Sequence, residues 1–120
     1  MKIFVYGSLK KGFGNNSLLK TSIFIGNHTI QGYEMYNFGW YPAIIEGKLT
    51  DEVQGEIWEV DSTTKMYIDG MELGAGYRIE KTIIDGETVE FYVYKYPIMY
   101  RNKVESGVWE KDYLERTKIL

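Results

Sequence analysis

The chain has 120 residues, enough to bury one hydrophobic core, and reads as a single domain over residues 1–120. Apolar residues make up 44% and charged residues 26%, the balance of a soluble globular domain, which argues against disorder and fibrous repeats. With 14 Lys and Arg against 17 Asp and Glu, the net charge is −3, which supplies no basic footprint for a nucleic acid, and zero cysteines rule out disulfides, thiolate metal sites and thiol nucleophiles.

The opening apolar run is too short for a signal peptide, and no stretch approaches the ~20 apolar residues of a membrane-spanning helix. A cytoplasmic protein without a membrane partner is expected, as a monomer or weak homo-oligomer. Aromatic residues make up 16% of the chain, 11 of them tyrosine, and there are 13 glycines against 2 prolines. That mixture points to a strand-rich fold with many tight turns.

In chain order, residues 3–6 form a short buried strand ended by Gly7, followed by a loop-like stretch over residues 7–16. Asn15 or Asn16 is placed to N-cap a short helix running to about Lys20, with Leu18 and Leu19 inward. Residues 23–40 read as extended segments broken at Gly26, Gly32 and Gly39, and residues 43–45 as another short strand. Residues 53–60 are a strand, and residues 61–64 carry N-cap chemistry for a helix over about 62–69, with Gly70 as its stop.

Residues 77–84 and 88–96 flank Asp85-Gly86, the local signature of a type I′ hairpin. In the second arm Val89, Phe91 and Val93 alternate with Glu90, Tyr92 and Tyr94, so both faces are partly apolar, as in a closed or strongly curved sheet. The tail from Tyr100 holds Gly107-Val108-Trp109 and then a charged run that could form a short helix.

His28 is the only histidine, too little for a zinc site, and reads as structural or superficial. Ser8 lacks the second glycine of a nucleophile elbow. Gly7 and Gly12 have P-loop spacing, but Phe13 stands where the P-loop lysine belongs, and the dinucleotide fingerprint is incomplete, so no nucleotide cofactor is expected. A strand stopping at Gly7 can still expose successive N–H groups to an anion or carbonyl oxygen; the alternative is an ordinary strand-to-helix turn.

Asp69 and Glu72, three residues apart, share a face if the helix continues that far. A carboxylate beside apolar and aromatic residues has its pKa raised towards the range useful for proton transfer, and Glu72 is the better candidate. Alternatively, Asp69 bonds backbone groups at a helix end and Glu72 pairs with Arg78 in solvent. The many tyrosines and tryptophans, among them Tyr33, Tyr36, Trp40, Tyr92, Tyr94 and Tyr96, read as packing rather than as a base-stacking platform, with Tyr41 and Trp40 beside Pro42 as candidates to line a pocket.

Together, Phe4-Val5-Tyr6-Gly7-Ser8-Leu9-Lys10-Lys11-Gly12, Tyr41-Pro42-Ala43-Ile44-Ile45-Glu46-Gly47, Gly55-Glu56-Ile57-Trp58-Glu59-Val60-Asp61 and Asp69-Gly70-Met71-Glu72 with Tyr77-Arg78 resemble the γ-glutamylcyclotransferase-like (AIG2-like) superfamily in order and spacing. Within it the chain looks most like the γ-glutamylamine cyclotransferase branch and the butirosin-pathway enzyme. The resemblance implies an α+β fold, a small mixed β-barrel with a few short helices. It also implies a cyclotransferase that closes the γ-glutamyl group of a small γ-glutamyl amine or dipeptide to 5-oxoproline and frees the amine, with no metal or cofactor.

By position, Tyr6, Gly7, Ser8 and Leu9 match the family loop whose N–H groups hold the glutamyl part. Glu72 matches the catalytic carboxylate, and Tyr77 and Tyr41 are expected in the pocket. A non-catalytic binding module on the same fold is the competing expectation.

Overall fold

A computed structural model describes residues 1–98 and 102–110. Along them run the strands β1 (Lys2–Val5), β2 (Ile23–Gln31), β3 (Tyr33–Asn37), β4 (Pro42–Glu46), β5 (Glu52–Glu59), β6 (Tyr77–Ile84), β7 (Glu87–Tyr94) and β8 (Asn102–Lys103). A 3-10 helix, Gly14–Leu19, follows β1, and one α-helix, α1 (Ser62–Gly74), lies between β5 and β6. The larger sheet has the order β2-β5-β1-β7-β6 and the smaller β4-β3-β8. β1 is antiparallel to β5 and parallel to β7, which makes it the central strand.

Period-two alternation along β1 sends its side chains to two separate cores. Phe4 and Tyr6 join Met35, Ile44, Val104 and Trp109 beneath the smaller sheet. Ile3 and Val5 join Leu19 of the 3-10 helix and Ile68 of α1 on the other face. Both faces of the central strands are therefore covered, which accounts for the two-sided apolar pattern of β7.

The expected barrel is not closed. β2 and β6 remain the edges of the larger sheet, and the smaller sheet stands apart in the pairing. Two-sided apolarity is equally satisfied by a helix on one face and a second sheet on the other, and strand pattern alone does not distinguish that from closure.

The hairpin expectation holds. Ile84 pairs with Glu87 across a two-residue loop, and Asp85 (φ 51) and Gly86 (φ 79) both take the positive φ that a type I′ turn requires. β7 ends at Tyr94, short of the expected residue 96. The Asn15 and Asn16 caps do not form: the element is 3-10, and both residues lie inside it. The expected helix beyond residue 110 lies outside the described residues.

α1 begins as expected, with the Asp61 carboxylate accepting from Thr64 N–H at 2.7 Å. It runs past Gly70 to Gly74, and the stop falls where Gly76 takes φ +99°. A helix ends where a positive φ is imposed, not at every glycine, and this added turn carries Glu72 on the helix. No helix among the described residues is long and apolar enough to cross a membrane.

Candidate active site

The loop after β1 is fixed on every side but one. The Asn15 Nδ2 donates to Ser8 Oγ (2.9 Å), Asn16 Nδ2 to Leu9 O (2.8 Å), and Asn15 N–H to Ser8 O (3.0 Å). Lys11 N–H donates to Glu56 Oε1 (3.0 Å), and the buried Lys10 reaches Trp109 O with its Nζ (2.8 Å). Gly107 (φ +70°) permits that C-terminal segment to approach, since a Cβ there would fall 2.0 Å from Glu52 O. At the other end a Cβ on Gly7 would meet Pro42 Cγ at 2.8 Å, so only glycine lets the loop lie against β4.

Within this frame the N–H groups of Gly7, Ser8 and Leu9 donate to no protein acceptor among the described residues. Ser8 Oγ already accepts from Asn15, so its own proton is free to donate alongside them. The asparagines that do not cap the 3-10 helix instead hold a set of donors in place.

Opposite stands an unusual helix face. Lys65, Ile68, Asp69 and Glu72 turn inward along α1, while Met66 and Tyr67 are 73% and 64% exposed. Lys65 Nζ donates to both oxygens of Asp69 (2.7 Å each) and to Glu90 Oε1 (2.8 Å). Burial disfavours the Lys65 ammonium, but these hydrogen bonds outweigh it and its pKa is raised. Arg78 pairs with Glu46 and Glu80, not with Glu72.

Glu72 sits in the last turn of α1, and burial pushes its carboxyl pKa up to about 7. Loss of hydration is the cause, and the negative end of the helix dipole acts in the same direction.

Loop and helix face each other across a cavity of about 290 Å³. Tyr6, Gly7, Ser8, Leu9, Tyr41, Glu72 and Tyr77 all line it, although they come from the loop after β1, the turn before β4, α1 and β6; Asp69 stands behind it and does not line it. Trp40 does not line it. Asn15, Met71, Ala75 and Tyr92 do, and sequence reasoning missed them as site residues. For Asn15 the signal was present, because an asparagine beside a glycine loop can bond backbone locally; for Tyr92, one aromatic among many on alternating strands, there was none.

The Tyr6 hydroxyl donates to Tyr92 O (2.6 Å), Tyr77 to Pro42 O (2.7 Å) and Tyr92 to Asp69 Oδ1 (2.7 Å). Burial raises the pKa of all three phenols, and the nearby Glu72 carboxylate adds to each. His28 lies elsewhere, edge-on to Phe4 in a second cleft between β2 and β6.

Residues 3–111 match the family model described as gamma-glutamyl cyclotransferase, AIG2-like, and the chain belongs to that family. It is 32% identical over 110 residues to the Escherichia coli K12 gamma-glutamylcyclotransferase family protein YtfP, covering 91% of this chain and 96% of YtfP. It is 40% identical over 117 residues to a Methanocaldococcus jannaschii protein provisionally named as a gamma-glutamylcyclotransferase, covering 92% and 96% of the two chains. The crystal structure of Pyrococcus horikoshii protein PH0828 superposes with a TM-score of 0.82 at 29% identity, over 98% of this chain and 97% of that one.

Proposed function

We propose that the protein is a 5-oxoproline-forming cyclotransferase acting on a small γ-glutamyl amine or dipeptide, with Glu72 as general acid and base. The observation that carries this reading is a partly buried carboxylate poised near neutrality across one cavity from a row of uncommitted N–H groups.

The substrate's α-amine attacks its own γ-carbonyl carbon, and Glu72 takes a proton from that nitrogen as the C–N bond forms. An α-amine of pKa ~8 needs only this last help. Negative charge gathers on the γ-oxygen, where N–H groups of Gly7, Ser8 and Leu9 stabilise it. Collapse breaks the original amide C–N bond, and Glu72 returns the proton to the departing nitrogen. The products are 5-oxoproline and the free amine, with no water consumed.

One carboxyl group serves both transfers because the nucleophile is tethered to the electrophile, so orientation supplies much of the rate. A pKa near 7 keeps substantial fractions of both protonation states at neutral pH, as the two steps require.

The test is release of 5-oxoproline from a panel of γ-glutamyl amines and dipeptides, followed by mass spectrometry beside Glu72→Gln. Release by the wild type and a large loss of release in the variant is the expected result. Binding of such compounds with no release would instead favour the non-catalytic module.

A further inference from the structure

The hydrogen-bond chemistry divides the cavity into two unlike halves. Carbonyl oxygens only accept, and so does the ionised Asp69, so the directions of the three phenol bonds are fixed. Tyr6, Tyr77 and Tyr92 each commit their single proton to the protein and have only lone pairs left to offer. The opposite half, residues 7–9, offers N–H groups and the Ser8 hydroxyl. Among the described residues neither Lys nor Arg lines the cavity.

Tyr92 is the member of this set whose bond is made by a charged relay. Its hydroxyl meets Asp69 Oδ1, the same oxygen that Lys65 Nζ contacts, and the remaining Lys65 donor goes to Glu90. Lys65 is 5% exposed, a costly burial for a charge that contributes nothing to the cavity wall itself.

We propose that Tyr92 binds the substrate's amine as a hydrogen-bond acceptor, and that Lys65 and Asp69 are positioning residues that keep its hydroxyl proton turned away from the cavity. This rests on the cyclotransferase reading, in which an amine must enter the cavity as a donor and lose a proton to Glu72. A phenol whose proton pointed inward would compete for the Glu72 carboxylate and face the amine with the wrong polarity.

Among the described residues, the ionisable groups around Glu72 are Tyr6 after β1, Tyr41 before β4, Tyr77 on β6 and Tyr92 on β7, with Asp69 and Lys65 behind on α1 and Glu90 on β7. Asp69→Asn makes a distinctive change among them. Lys65 can only donate, so it takes the new amide oxygen and leaves the amide NH2 to Tyr92. Tyr92 must then accept, and its own proton turns into the cavity towards Glu72.

The experiment follows the Glu72 side-chain carboxyl by 13C NMR in the ligand-free proteins as pH is varied. Asp69→Asn should lower the midpoint by about one pH unit, because the phenol now donates to the carboxylate. Asp69→Asn combined with Tyr92→Phe should recover most of that shift. An equal shift with and without the Tyr92 hydroxyl, or no shift, would overturn the relay, since loss of Asp69 charge or a structural role would then suffice.

Kinetics test the contact separately. Tyr92→Phe keeps the ring and should raise KM about tenfold with kcat within about threefold, the loss of one hydrogen bond to a charged donor; an unchanged KM would overturn the amine contact. Failure of the wild type to turn over any γ-glutamyl compound would count against the proposed function, and the carboxyl titration, which needs no substrate, would still decide the relay.

Discussion

At the N-terminal end of α1 the Asp61 carboxylate lies in solvent and accepts from Thr64 N–H, and that backbone hydrogen bond holds its pKa below the usual aspartate value. At the C-terminal end Glu72 meets the cavity wall, and burial drives its pKa up to about 7. One helix thus carries two carboxylates pushed in opposite directions. The first serves the fold as an anion at the positive end of a dipole; the second opposes the fold in its ionised form, a cost that the proposed proton transfer would account for.

The sharpest way to break this comparison is at Glu72. Glu72→Gln keeps the volume and removes proton transfer, and 5-oxoproline release should fall about 10²- to 10⁴-fold. A rate near that of the wild type would remove Glu72 from the mechanism.

The same variant should be more stable than the wild type in mild alkali. Because the folded pKa lies above the unfolded value of 4.5, the native state holds the extra proton, and wild-type stability is lost as pH rises from about 4.5 to about 7. Denaturant unfolding at pH 8 should favour Glu72→Gln by up to about 3 kcal/mol, with the advantage gone near pH 4.

Gly7→Ala addresses the other wall. Its Cβ would press on Pro42 Cγ at 2.8 Å, so the loop or β4 must shift. A stability loss of about 1–3 kcal/mol is expected, with a fall in kcat/KM as the donors move; equilibrium unfolding and initial rates read the two.

The smallest effect is expected at the solvent end. Asp61→Ala should lower the Tm at pH 7 through loss of the cap. Because the folded pKa of Asp61 is depressed, the difference from the wild type should shrink as pH falls through and below the usual aspartate range. 5-Oxoproline release should be unchanged, which separates the two ends of α1 by function as well as by charge.

How much of this was legible beforehand follows from the range of the forces involved. The type I′ hairpin at Asp85-Gly86 and the Asp61 cap are settled within four residues, and both are written in the sequence. The end of α1 was misjudged because Gly70 looked like a stop, whereas the positive φ falls at Gly76, where the chain turns into β6. Closure of the sheet was over-read, because apolar residues on both faces of β7 demand cover without saying whether a helix, a sheet or a barrel provides it.

For the site, the loop and Glu72 were legible as motifs, but Tyr92 and the Lys65–Asp69 pair behind it were not. A periodicity argument applied to residues 62–74 would have turned Met66 and Tyr67 inward, and both are exposed.

The sequence by itself therefore determined the Asp85-Gly86 turn, the start of α1 and the family, all of which depend on neighbours in the chain or on motifs read in order. Only the tertiary structure decided which face of α1 is buried and how strongly Glu72 is perturbed. Glu72 shares its cavity with Tyr6, Tyr41 and Tyr92, which stand far from it along the chain and come to the same cavity only when β1, β4 and β7 are assembled around it.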